Sequence, residues 1–290
     1  MNGKVMLNAM TVDVEDYFQV AAFDEVIDPK NWDQYDIRVE KTTHQLLDLF
    51  EEKGVKSTFF TLGWVAERCP SIVKRIVQDG HEIASHGYGH QKATRMTADA
   101  FFADIDKAKK ILEDQAGVEV KGYRAPSFSI MEDNVWAFDE LKKAGYLYSS
   151  STYAIKHDHY GTPNWPNQPH QFENGLWEFP QATVDVLGKR MPAGGGGFFR
   201  LQPYLMSKTM IKRFHKQKNH PYIFYFHPWE IDPEQPSVPG AALKSKMRHY
   251  VNLSKMYGKV SSLSDDFVWD TIANTHSQYL LGAKNERPNI

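Results

Sequence analysis

Apolar and polar positions along the first half of the chain predict strand and helix in turn. Val5 to Val14 is a mainly apolar run that ends in acids, the pattern of a buried strand. Leu46, Leu47, Leu49 and Phe50 fall at helical spacing inside Val39–Lys53, and Gly54 supplies the stop. Ser57–Leu62, with Phe59 and Phe60, is a short apolar strand, and Cys69-Pro70 opens a helix through Val77 that Gly80 closes. Ile83–Ser85 is the third strand. Thr97 caps an amphipathic helix that runs to Ala116 and ends at Gly117. Strands over Gly122–Ala125 and Tyr146–Ser150 flank a helix over Asn134–Ala144. Strand and helix at these intervals are βα units, which predicts an α/β fold built on a parallel sheet or a barrel.

The alternation stops after Ser151. Residues 156–200 are rich in Pro, Gly, Asn and His, with Pro163, Pro166, Pro169 and the run Gly194–Gly197. Long loops with a short strand at Leu176–Phe179 are expected there, and loops of this length inside a compact domain are usually functional or poorly ordered. Helices follow at Met206–Lys216 and Leu243–Met256, with a strand between them at Tyr222–Phe226. The whole, residues 1–290, is expected to be one domain with a core over about 5–236 and a helical extension over about 240–290.

Composition narrows the function classes. With 41% hydrophobic and 13% aromatic residues the chain can bury a large core. Lys and Arg total 34 against 36 Asp and Glu, which gives no reason to expect nucleic acid or an anionic membrane as partner. Cys69 is the single cysteine, so a thiolate metal site is excluded and any metal falls to His and carboxylate. No apolar run approaches the roughly 20 residues that span a bilayer. Met1 to Val5 lacks the pattern of a secretion signal, so a cytoplasmic protein is expected, or a periplasmic one if a leader was removed.

Four constellations carry chemistry. His86 and His90 stand four apart just after an apolar strand, among glycines, where two imidazoles can clamp one divalent ion. Asp13, Glu15 and Asp16 crowd the carboxyl end of the first strand, where three acids repel unless a cation compensates. In α/β sheets and barrels active sites gather at that end. Arg124, two residues before Pro126, is placed to orient a carboxylate through a forked hydrogen bond. His227 ends an apolar strand beside Pro228-Trp229 and suits a general acid near neutral pH. His81, ahead of its strand, faces solvent or packs.

In this order, the acidic strand end, His86-x-x-x-His90, Arg124-Ala-Pro-Ser-Phe128 and the late His227 resemble the polysaccharide deacetylases of carbohydrate esterase family 4, the NodB-homology fold. The resemblance runs from about Val5 to Pro236. Within the family it is similar to the subgroup encoded with exopolysaccharide and exosortase (PEP-CTERM-type) loci. Asp13–Phe18, Gly175–Pro180, Gly194–Tyr204 and Phe226–Pro236 match that subgroup's segments.

The resemblance implies a distorted (β/α) barrel of about seven strands with an elaborated C-terminal third. It also implies metal-dependent removal of N-acetyl groups from an aminosugar glycan. Asp13 would be the base, His86 and His90 metal ligands, Arg124 the group orienting Asp13, and His227 the acid. The family's third ligand often follows the base directly. Val14 stands there, so the role passes to Glu15 or Asp16. Zn²⁺ is the expected metal, with Co²⁺ or Ni²⁺ as substitutes. Tyr17, Pro126, Ser127, Phe128 and Trp229 would line the substrate surface, with an oxyanion donor near Ser127 or Phe128. Ser149 stands where related sequences carry an acid, a departure that bears on activity. Two other classes stay open: an amidohydrolase of small cyclic amides, and a silent carbohydrate-binding relative.

Overall fold

The computed structural model describes residues 6–156 and 161–282. Val5 of the first expected strand and residues 283–290 of the expected extension lie outside the described residues. The strands, in chain order, begin with β1 (Leu7–Val14), β2 (Thr58–Thr61), β3 (Glu82–Ser85), β4 (Gly122–Tyr123) and β5 (Tyr148–Ser149). The second half adds β6 (His170–Gln171), β7 (Trp177–Glu178), β8 (Thr183–Val186), β9 (Lys189–Pro192), β10 (Ile223–Phe226) and β11 (Val268–Asp270). The helices of the first half are α1 (Val39–Lys53), α2 (Gly63–Arg68), α3 (Pro70–Gln78), α4 (Ala98–Ala116) and α5 (Ala137–Lys143). Those of the second are α6 (Gly196–Leu201), α7 (Tyr204–Gln217), α8 (Leu243–Tyr250), α9 (Leu253–Asp266), α10 (Ile272–Thr275) and α11 (Ser277–Gly282).

Seven parallel strands run in the order β10-β1-β2-β3-β4-β5-β7, with β6 antiparallel on the edge and β11 parallel beside the start of β1. The sheet curls into an incomplete barrel with helices outside, the expected distorted (β/α) barrel. Period-two alternation sorts β1 into two faces. Met10, Val12 and Val14 point outward into the main core with the helices. Ala9 packs inside with Phe60, Ala84, Tyr148, Phe179 and Ile223. The next inward positions, Thr11, Arg124, Ser150 and Tyr225, carry the polar layer above. Gly122 is required in this interior: a Cβ there would lie 2.2 Å from the Tyr148 ring.

Several elements depart from the sequence expectation. The single helix expected over Leu243–Met256 is two, because Asn252 adopts a left-handed φ of 54° between α8 and α9. The β8–β9 hairpin, β11, α10 and α11 were not legible in the sequence. Ile272 of α10 enters the interior cluster, and the His276 ring packs tilted against Phe179 with centres 4.3 Å apart, so the C-terminal segment forms the barrel floor. His81 packs, as one of its two expectations had it: it is buried against Phe59 at 5.2 Å, and its Nδ1 accepts from Ser57 N–H. Among the described residues no helix is long and apolar enough to cross a membrane.

Candidate active site

The inward parity that places Ala9 and Thr11 in the barrel also turns Asp13 to the carboxyl-end mouth, where β3 delivers His86 and β10 delivers His227. Asp13 is buried, and its Oδ1 accepts from Arg124 Nη1 at 2.6 Å. Arg124 is fully enclosed and held on every side. Nη1 also donates to Thr11 Oγ1 at 2.8 Å, Nε to the Ser150 carbonyl at 3.1 Å, and Nη2 to Ser150 Oγ at 3.1 Å. Its guanidinium lies 4.1 Å from the centre of the Phe60 ring. A planar fork fixed by this many bonds aims Asp13 with little freedom.

His86 Nδ1 lies 2.8 Å from the Arg124 carbonyl. A carbonyl only accepts, so Nδ1 carries the proton and Nε2 keeps the lone pair. Burial pushes the His86 pKa down to about 4, with Asp13 opposing, so the ring is neutral as a ligand must be. His90, at φ 50°, folds back so that its ring centre is 5.3 Å from that of His86. Its Nε2 meets Glu15 Oε2 at 2.5 Å.

Glu15, His86 and His90 each offer a ligand atom within 4.8 Å of the others. Glu15 Oε2 is buried and forms no hydrogen bond, despite the close approach of His90. Burial raises the Glu15 pKa, yet the facing histidines, His90 first, outweigh it and hold the carboxyl well below its usual range. A buried, ionised carboxylate oxygen with no donor, facing two imidazole nitrogens, is the donor set a divalent cation would complete.

Of the two acids left open for the third ligand, Glu15 joins the cluster and Asp16 does not. Asp16 turns to the far side, where its carboxylate accepts from the backbone N–H of Arg38 (2.6 Å), Val39 (2.8 Å) and Tyr17 (2.8 Å). It caps the start of α1 and satisfies N–H groups that a helix leaves unpaired.

His227 stands across the cavity. Its Nε2 is 3.6 Å from Glu15 Oε1 and 4.0 Å from Asp13 Oδ2, and its Nδ1 donates to Glu230 Oε1 at 2.8 Å. Burial disfavours the imidazolium, but Glu15, Glu230 and Asp13 more than compensate and raise its pKa to about 9. Sequence reasoning missed the support behind it. Glu230 Oε2 accepts from Arg200 Nε at 2.6 Å, and Arg200 also donates to the carbonyls of Arg248, His249 and Val251. Glu230, three residues after His227, was the readable signal, whereas nothing in the sequence ties Arg200 to it.

The expected substrate surface is only partly in place. A cavity of about 480 Å³ is lined by Asp13, Glu15, His86, His90, Ser127, Phe128, His227 and Trp229, among others. Tyr17 is not there. It is buried in the main core, edge-on to Phe18 at 5.3 Å, because it follows the capping turn at Asp16. Pro126 is likewise buried and begins the turn that presents Ser127 and Phe128, both at positive φ. Phe128 N–H is engaged by the Ala125 carbonyl at 3.0 Å. Trp229 borders the cavity, but both ring faces are covered, by His227 at 5.3 Å and His249 at 4.2 Å. Its Nε1 donates to Glu15 Oε1 at 3.1 Å, so it orients that carboxylate and offers no stacking face to a sugar. Ser149 hydrogen-bonds Ser151, while Ser150 meets Arg124, so the missing acid leaves no gap in the Arg124 network.

Residues 29–149 match the family model for polysaccharide deacetylase, and residues 150–277 match a domain of unknown function, DUF3473. A peptidoglycan-N-acetylglucosamine deacetylase of Bacillus cereus is 38% identical over 99 residues, 34% of this chain and 36% of that protein. A bifunctional xylanase/deacetylase of Pseudobutyrivibrio xylanivorans is 39% identical over 97 residues, 33% of this chain and 16% of that protein. The similarity thus spans about a third or less of these relatives' lengths. A crystal structure from Mycobacterium smegmatis, named among the polysaccharide deacetylases, superimposes with a TM-score of 0.61. It shares 20% identity, covers 100% of this chain and 96% of its own, and at that identity shows the fold alone.

Proposed function

We propose, on the match of residues 29–149 to the polysaccharide deacetylase family model, that this chain hydrolyses N-acetyl groups from an aminosugar glycan, releasing acetate. The observation that carries the reading is the facing arrangement itself. A Glu15–His86–His90 cation site and an Asp13–Arg124 pair stand opposite His227 across one cavity. Asp13 and His227 come from outside the family-matched stretch, so residues 29–149 alone do not complete the site. Residues 1–28, which supply Asp13 and Glu15, and both matched segments act as one catalytic unit in this proposal. The segments at residues 13–18, 175–180, 194–204 and 226–236 favour an exopolysaccharide or envelope glycan, or its precursor, as substrate.

Glu15, His86 and His90 would hold the metal, proposed to be Zn²⁺, which supplies Lewis acidity to water and to the acetamide carbonyl. Asp13, pinned by Arg124, takes the proton from the attacking water. Ser127 N–H donates to the oxygen on which negative charge develops. His227, protonated and backed by Glu230, lies opposite and gives its Nε2 proton to the departing amine. Trp229 and Arg200 hold Glu15 and Glu230 in place.

The test is acetate release from N-acetylglucosamine oligomers and a crude exopolysaccharide. Metal-stripped protein is assayed with and without added Zn²⁺ or Co²⁺, beside Asp13→Asn and His86→Ala. Metal-dependent release that both substitutions abolish is the expected result. Tight metal binding with no release from any glycan would overturn the proposal in favour of a small-amide hydrolase or a silent carbohydrate-binding protein.

A further inference from the structure

The even overall charge conceals a segregation along the chain. Residues 186–264 hold 13 Lys and Arg against three acids, Glu230, Asp232 and Glu234, whereas residues 1–185 hold 19 against 29. Two of the three acids are internal: Glu230 pairs with Arg200, and Asp232 with Arg38 at 2.5 Å. What this segment shows to solvent is therefore strongly basic, a charge asymmetry that marks chains working at an anionic surface.

The same segment carries the largest concentration of exposed apolar side chains. Phe198 and Leu201 on α6, Leu205 and Met206 at the start of α7, and Leu243 and Met247 on α8 are from 37% to 74% exposed. Leu243 and Met247 are four apart and share one helix face. Lys244, Lys246 and Arg248 flank them and have no ion-pair partner among the described residues, while Lys208 on α7 is taken by Asp266 at 2.6 Å. Arg200 ties α6 to the C-terminal end of α8 through the carbonyls of Arg248, His249 and Val251, and α7 follows α6 directly in the chain. Both α6 and α8 border the catalytic cavity, which Gly197, Ser245 and Arg248 help to line.

We propose that α6, the start of α7 and α8 form a docking surface for an anionic lipid bilayer, which brings the mouth of the cavity to the membrane surface. Protruding Leu, Met and Phe with unpaired cations beside them match an interfacial segment, where apolar tips enter the acyl boundary and Lys and Arg meet headgroup phosphates. A protein partner fits less well, since interface cores are depleted of Lys. The docking needs no turnover, so it stands or falls independently of the deacetylase reading.

The experiment is co-sedimentation with phosphatidylcholine vesicles with and without phosphatidylglycerol, at low and high salt. Two double variants are compared with the full chain: Lys244→Gln with Lys246→Gln, and Leu243→Gln with Met247→Gln. None of these residues belongs to the catalytic set, and an unchanged urea-unfolding midpoint reports that the fold is intact. The full chain should bind only vesicles containing phosphatidylglycerol and should lose binding in high salt. Each cation removed should weaken binding about fivefold, the equivalent of about 1 kcal/mol. The apolar pair should weaken it by roughly tenfold or more. No binding at low salt would overturn the proposal, as would binding unchanged in the apolar variant. So would a full-chain dimer that the apolar variant makes monomeric, which would assign the face to a second copy.

Discussion

Glu15 turns its carboxylate into the cavity, and Asp16, one residue later, turns away to the first turn of α1. Adjacent acids in a chain leaving a strand diverge because their Cα–Cβ vectors do. Glu15→Gln is therefore expected to lower Zn²⁺ affinity by at least tenfold with little loss of stability, as read by competition with a metal-sensitive dye. Asp16→Ala should leave metal stoichiometry intact and cost about 1–2 kcal/mol in urea unfolding, the cost of an unmade cap. The Glu230–Arg200 pair makes a second contrast. Glu230→Gln keeps a bond to His227 but removes the charge facing it, and kcat should fall roughly 10- to 100-fold with KM little changed. Arg200→Met leaves Glu230 buried without its cation, so about 3–5 kcal/mol of stability should be lost in the same unfolding assay. Asp13, His86, Arg124 and His227 were legible because each sits at or just past a strand end, and His90 because it follows His86 by four residues. Arg200 was not, because its partner is 30 residues away and no local rule connects them.

At the scale of elements, glycine placement separates turns that are required from those that are merely permitted. In the run Gly194–Gly197, a Cβ on Gly196 would lie 1.9 Å from Glu230 Oε1, while one on Gly197 would meet nothing within 4 Å. The run is neither a mobile tip nor a ligand cradle at Gly196. It lets the start of α6 pack onto the carboxylate behind His227. Gly196→Ala is expected to cost about 1–3 kcal/mol through overpacking and to lower kcat, because Glu230 must move. Gly197→Ala should leave stability unchanged or improve it by up to about 1 kcal/mol. Thermal unfolding and steady-state rates of the two variants, measured side by side, decide the point. The long helices α1, α3 and α4 matched their sequence limits within a residue, because their stripes are long and Gly54 and Gly117 end α1 and α4 in left-handed turns. The two-residue strands β4, β5 and β7 were expected longer. Strand pairing across a strongly curled sheet stops where neighbours diverge, a limit that no single strand's sequence encodes.

For the molecule as a whole, the buried histidines set the response to acid. Burial depresses His81 to about 4 and His276 to about 3, both below the unfolded value of about 6.5. The unfolded chain therefore binds protons first as pH falls. The stability these residues contribute is complete above about 6.5 and is lost as pH drops toward 4, by about 3 kcal/mol for His81. His276→Phe keeps the ring packing against Phe179 and removes a titrating group from the barrel floor. Urea midpoints from pH 8 to 4.5, taken in chelator to exclude the metal site, should fall less steeply for that variant than for the parent chain. A parallel slope for the two would refute the assignment. The sequence by itself determined the βα alternation, the placing of Asp13, His86, Arg124 and His227 at strand ends, and the exclusion of a thiolate site. These follow from local periodicity and residue chemistry, which operate over a few residues. Only the tertiary structure decided that Glu15 and not Asp16 joins His86 and His90, that Trp229 is sandwiched between His227 and His249, and that Arg200 holds Glu230. It alone showed that residues 268–282 close the barrel floor and that Arg200 and Arg248 line the cavity. Each of these depends on which distant segments fill the space around a side chain, and that is fixed by packing of the complete chain.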